Sequence, residues 1–141
     1  MIRAKIYIAA ALLLGLLLAG CARVSTQIEA IAQALEARGR TVSVYEAGSE
    51  MLAALDDEMD EYLDDPTEQP LRAYLFARKD DPSLLDCEVF IFETAQDAQR
   101  LYNYLRDSDA FIPGESEIRC SGAVVYMGYI EALEIVESAK R

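Results

Sequence analysis

Three cysteines, 25 carboxylates and no histidine set the chemistry open to this 141-residue chain. A thiolate is the strongest nucleophile among ordinary side chains, so Cys21, Cys87 and Cys120 are the first candidates for covalent chemistry. Without an imidazole there is no Ser-His or Cys-His pair, no histidine general base and no ordinary zinc site. Carboxylates can act in pairs as acid and base, but no spacing among the 25 singles out a pair. The densest group is Asp56, Asp57, Glu58, Asp60, Glu61, Asp64 and Asp65. A calcium loop needs oxygens converging from a turn. These carboxylates instead ride on a segment with helical spacing whose other face is apolar, so they splay outward as a solvated helix face. No catalytic residue, metal ligand or cofactor is therefore assigned.

Cys21 sits in a different setting. The chain opens with MIRAK and runs apolar from Ile6 to Ala19, then closes as LLLGLLLAGCARVSTQ. This is a cationic head followed by an apolar run shorter than the roughly 20 residues of a bilayer span, with slim residues at Ala19 and Gly20 where a signal peptidase needs them. Leu18-Ala19-Gly20-Cys21 resembles the lipobox of bacterial lipoproteins at every position. The resemblance implies a diacylglyceryl group on the Cys21 thiol, cleavage just before it, and a mature protein held to the lipid bilayer through acylated Cys21. Stable anchoring takes about two acyl chains, which that modification supplies. The expected organisation is a cleaved signal peptide over 1–20, a short lipidated tether over 21–25 and a single domain over 26–141. The tether spans about 15 Å at full extension. The protein is expected to be exported and anchored at the outer face of the cytoplasmic membrane. In a host with two membranes the outer one is favoured, because Ala22 is not the aspartate that marks inner-membrane retention in the lipoprotein class.

Arg3 and Lys5 are the only basic residues ahead of Cys21, so the remainder carries 25 acids against 11 bases, a formal charge of −14. Such a chain is repelled by nucleic acid and by anionic headgroups, which excludes nucleic acid as a partner. Residues 21–141 are enough for one core.

The elements that position these groups follow from periodicity. Thr26 and Glu29 form a capping box ahead of Ile28, Ile31, Ala32 and Leu35, a helix over about 26–38 closed by Gly39. RTVSVYEA reads as a strand. Ser49 caps a helix with the stripe Met51, Leu52, Leu55, Met59, Tyr62 and Leu63, ended by Asp65-Pro66. PLRAYLFARK is a second strand, DDPS a turn, and DCEVFIFE a strand apolar on both faces and hence mid-sheet. Thr94 caps a helix that turns Ala95, Ala98, Leu101, Tyr102 and Leu105 inward. AFIPGESE reads as a loop, RCSGAVVYMG as a last strand, and YIEALEIVESAKR as a closing helix.

Without its first and last helices the order is β-α-β-β-α-β. That predicts an α+β, ferredoxin-like four-stranded antiparallel sheet with extra N- and C-terminal helices. Cys87 and Cys120, two cysteines of an exported domain, are the candidate disulfide. In the ferredoxin-like plan the first strand separates the third from the fourth, placing them about 9.6 Å apart, beyond the roughly 7 Å Cα reach of a disulfide. A bridge would then need the lead-in loops, or strands that are direct neighbours; otherwise both thiols are free.

Tyr102, Tyr104, Tyr126, Tyr129, Phe90 and Phe92 have the makings of a ligand groove, but their spacing places them in the core and at its edge. The run FIFETAQDAQRLYNYL resembles the strand-to-helix junction of SPOR domains at Phe92, Thr94, Ala98, Leu101 and Leu105. That resemblance implies peptidoglycan binding on the same βαββαβ plan and carries no binding residue over. The expected function is non-catalytic: a lipoprotein acting through an envelope protein partner. The alternative is a binding module for cell-wall glycan, a cation or a small solute.

Overall fold

A computed structural model describes residues 27–62 and 70–141. The signal segment, the tether, Thr26 and the Asp65-Pro66 helix stop lie outside the described residues. Helix α1 runs over 27–36 and leaves through a turn in which the Gly39 amide donates to the Glu36 carbonyl at 3.2 Å. There follow β1 (Arg40–Glu46), α2 (Glu50–Tyr62), β2 (Arg72–Arg78), β3 (Leu85–Ile91), α3 (Ala95–Arg106), β4 (Ser116–Ser121), β5 (Val124–Tyr129) and α4 (Ile130–Ala139).

The caps form as their residue types require. Ser49 Oγ accepts from the Leu52 amide at 3.4 Å. Thr94 Oγ1 accepts from the Asp97 amide at 3.2 Å and donates to Asp97 Oδ2 at 2.6 Å. Each cap satisfies an amide that the first turn of a helix leaves unpaired. Ala95, expected to face inward, is exposed, whereas Ala98 and Leu101 are buried.

The sheet has five strands in the order β1-β2-β3-β5-β4, every neighbouring pair antiparallel. The α+β class and the antiparallel sheet are as expected; the strand count is not. RCSGAVVYMG is not one strand. Ser121 pairs with Val124 across a two-residue reversal at Gly122-Ala123, and Gly122 takes φ +57°, a left-handed conformation that glycine adopts without steric cost. The strand order differs as well. The strand that separates β3 from β4 is β5, not β1, and β1 lies at the sheet edge.

β3 is central, as its apolar character on both faces predicts. Its side chains divide two cores. Cys87 and Val89 join Ile28, Ile31 and Leu35 of α1 and Leu133 and Val136 of α4 on one face. Phe90 joins Leu52 of α2 and Ala98 and Leu101 of α3 on the other. The inner helices α2 and α3 thus share one face, as the ferredoxin-like plan requires, and the outer helices α1 and α4 cover the opposite one.

Candidate functional site

The functional candidates gather around three consecutive residues of β3: Asp86, Cys87 and Glu88. The register explains why each faces a different environment. Phe76 of β2 pairs with Cys87 and Ala77 pairs with Leu85, so β3 carries one residue more than β2 at this point, and Asp86 has no partner across the ladder. An inserted residue of this kind kinks the strand and re-aims its side chain. Gly128 of β5, opposite Cys87, lets the kink fit. A Cβ there would lie 2.2 Å from the Asp86 carbonyl oxygen, and the Gly128 backbone has φ +145°.

Asp86 is buried and accepts from Arg40 Nε at 2.9 Å. Arg40, at the start of the edge strand, is buried too; its Nη1 donates to the Arg38 carbonyl at 2.8 Å and its Nη2 lies 3.8 Å from Glu131 of α4. The pair ties β1 to β3 across β2 on the α1/α4 side. Losing either partner would strand a buried charge, a cost of about 3–5 kcal/mol.

Glu88 points to the opposite face. It sits between Leu75 of β2 and Met127 of β5 in the ladder, both on the α2/α3 side. There it floors a half-open groove of about 320 Å³ with Leu85, Leu105, Phe111, Ile112, Met127 and Tyr129 on its walls. Leu85 and Ile112, 42% and 52% exposed, both stand at this groove. Burial pushes the Glu88 carboxyl above the ordinary carboxylate range. Among the described residues it makes no hydrogen bond and no ion pair, so nothing offsets its charge.

A second concavity of similar size is lined by Arg38, Arg40, Arg78, Lys79, Asp80 and Glu131. Two of its four cations are matched where they stand. Arg40 is held by Asp86, and Arg78 donates to Asp80 at 3.2 Å.

The candidate disulfide is not made: Cys87 and Cys120 are free. They lie two strands apart, and they also face opposite sides of the sheet. Cys87 belongs to the core under α1 and α4, Cys120 to the edge of the core under α2 and α3. Burial, reinforced by the neighbouring Asp86 and Glu88 charges, pushes the Cys87 thiol up to about 12. Burial also raises the Cys120 thiol. A raised thiol pKa lowers the thiolate fraction, so neither is an activated nucleophile.

The expected aromatic groove is dispersed. Phe90 and Phe92 are buried in the α2/α3 core with Tyr102 and Tyr104 at its margin, Tyr126 lies in the α1/α4 core, and only Tyr129 reaches the Glu88 groove. In the acidic group, Asp57 and Glu58 are exposed on α2. The side chains of Asp56, Asp60 and Glu61, and all of Asp64 and Asp65, lie outside the described residues, as does Cys21.

Sequence reasoning passed over Glu88 and the Arg40–Asp86 pair. For Glu88 a signal existed, a lone charge inside the apolar run DCEVFIFE that reads as mid-sheet. For Asp86 none did, because a bulge depends on pairing that the residues do not announce. No family model, no curated protein and no solved structure matches this chain.

Proposed function

We propose that this protein is a lipid-anchored, non-catalytic component of the bacterial cell envelope that acts by binding another envelope protein. One observation carries the reading: the apolar run closing on Leu18-Ala19-Gly20-Cys21 a few residues ahead of the first described helix. A domain tethered so closely meets its partners in a thin layer beside the membrane, where two-dimensional confinement raises effective concentration. The Glu88 groove supports the binding role. It offers an apolar wall with one uncompensated charge, the mix of surfaces that gives an interface both adhesion and selectivity.

The experiment has two arms. Replacing Cys21 with Ser is expected to move the protein from the membrane fraction to the soluble one, or to accumulate uncleaved precursor. Mass spectrometry of the native protein is expected to show a start at acylated Cys21. An unmodified residue 21 with unchanged partitioning overturns the anchoring. Crosslinking in intact cells is expected to recover one defined protein with the full-length chain. Saturable thermal stabilisation by muropeptides, without such a protein, would identify a glycan-binding domain instead.

A further inference from the structure

We propose that the Glu88 groove is a socket for one long cationic side chain, lysine or arginine, presented by the partner protein. This deepens the binding-protein reading and rests on it. Three features of the groove select that occupant.

The first is charge. Among the described residues no cation pairs with the Glu88 carboxylate, although the same strand places Asp86 within 2.9 Å of Arg40. Two acids two residues apart are treated oppositely: one is compensated from within the fold and the other is left open at a groove. The second is the shape of the apolar surface. The side chains of Leu85, Leu105, Phe111, Ile112 and Met127 surround the approach to Glu88. Lysine and arginine carry three or four methylenes behind the charge, and such stems lie readily along apolar walls. A neutral apolar side chain would cover the walls and bury the Glu88 charge unpaired. A short polar cation would meet the charge and leave the walls wet.

The third is size. A space of about 320 Å³ is at the small end of ligand pockets; it takes one side chain rather than a folded edge or a helix. The chain's acidity acts in the same direction, since a net charge of −12 over the full sequence draws basic partners and repels acidic ones. The other titratable side chain on the groove wall is Tyr129, while the Cys87 thiol points into the opposite core.

The test uses the full-length lipidated protein in nanodiscs and two probe peptides. One is a blocked pentapeptide with lysine between two leucines; the other carries norleucine in place of the lysine. Methyl resonances of Leu85, Leu105, Ile112 and Met127 report occupancy. The lysine peptide is expected to shift them saturably and to bind at least tenfold more tightly than the norleucine peptide. In Glu88→Gln, with the rest of the spectrum unchanged, the lysine peptide is expected to fall to the norleucine level. Glu88→Asp, which keeps the charge on a shorter stem, is expected to retain a measurable part of the preference.

Equal binding of the two peptides, a lysine preference that survives in Glu88→Gln, or no saturation by about 10 mM peptide would each overturn the assignment. Those failures would leave a membrane-anchored chain with a crosslinked partner standing. An unlipidated chain without a partner would remove that larger reading and leave the groove's lysine preference intact.

Discussion

Glu88 holds a charge at a place where folding has removed much of its water, and that has a measurable consequence for stability. Burial raises its carboxyl pKa, so ionisation is harder in the folded chain than in the unfolded one. The folded state is therefore favoured while the group is protonated, and this advantage is lost as pH rises through the folded-state pKa. Glu88→Gln removes the dependence. The variant is expected to melt at a higher temperature than the wild type at pH 7, with the gap closing as pH falls below the ordinary glutamate range of about 4.3. Parallel pH–melting curves for the two proteins would show that Glu88 is not the desolvated group described above. Residues that weaken the fold are retained where function needs them, which is how the same side chain connects stability to recognition. Its neighbour shows the opposite arrangement. Asp86 is buried more deeply, yet Arg40 compensates it. The sequence places both acids on one strand and carries a signal for Glu88 alone; what sets Asp86 apart is a one-residue insertion relative to β2.

That insertion belongs to the scale of elements, and Gly128 is the position on which it depends. Gly128→Ala drives a methyl into the Asp86 carbonyl and forces a non-glycine residue to a positive φ. Overpacking and backbone strain of this kind together cost at least about 2 kcal/mol. A loss of about that much unfolding free energy, read as a lower urea midpoint, is the expected result, and an unchanged midpoint would mean the bulge is not built as described. Most of the elements were legible. β1, β2, β3 and α3 each lie between clear stops, and β3 reads as mid-sheet because both its faces are apolar. α3 carries its own start signal in Thr94. The β4–β5 hairpin was not legible as two strands, because AFIPGESE reads as a loop although β4 begins at Ser116, and the strand pattern reads straight on through Ser121-Gly122 into Ala123 to Met127. The Ser-Gly pair is a turn signal, but a single glycine inside an apolar run reads equally well as a strand interior. What decided the matter was tertiary: β5 pairs with β3 on one side and β4 on the other, and a single long strand could not have served both.

At the scale of the whole molecule, like charges are crowded on a small body. Residues 21–141 carry 25 acids and 11 bases, and several exposed bases already sit beside acids, as Arg72 does with Glu46 and Arg106 with Asp107. The remaining repulsion among surface carboxylates opposes compaction and is screened by salt, with a Debye length of about 10 Å at 0.1 M. Raising sodium chloride from about 0.02 to 0.3 M is expected to raise the melting temperature at pH 7, and a fall or no change would show that local ion pairs outweigh the net field. Cys87 and Cys120 contribute no crosslink to this balance. The layering also sets a direction. α1 is the element that continues from the Cys21 segment, and it packs with α4 on one side of the sheet, while Glu88 opens on the other. Under the proposed anchoring, the leash joins the domain through α1, on the side of the sheet opposite the socket. A partner reaching Glu88 would then approach the side of the sheet that the leash does not enter.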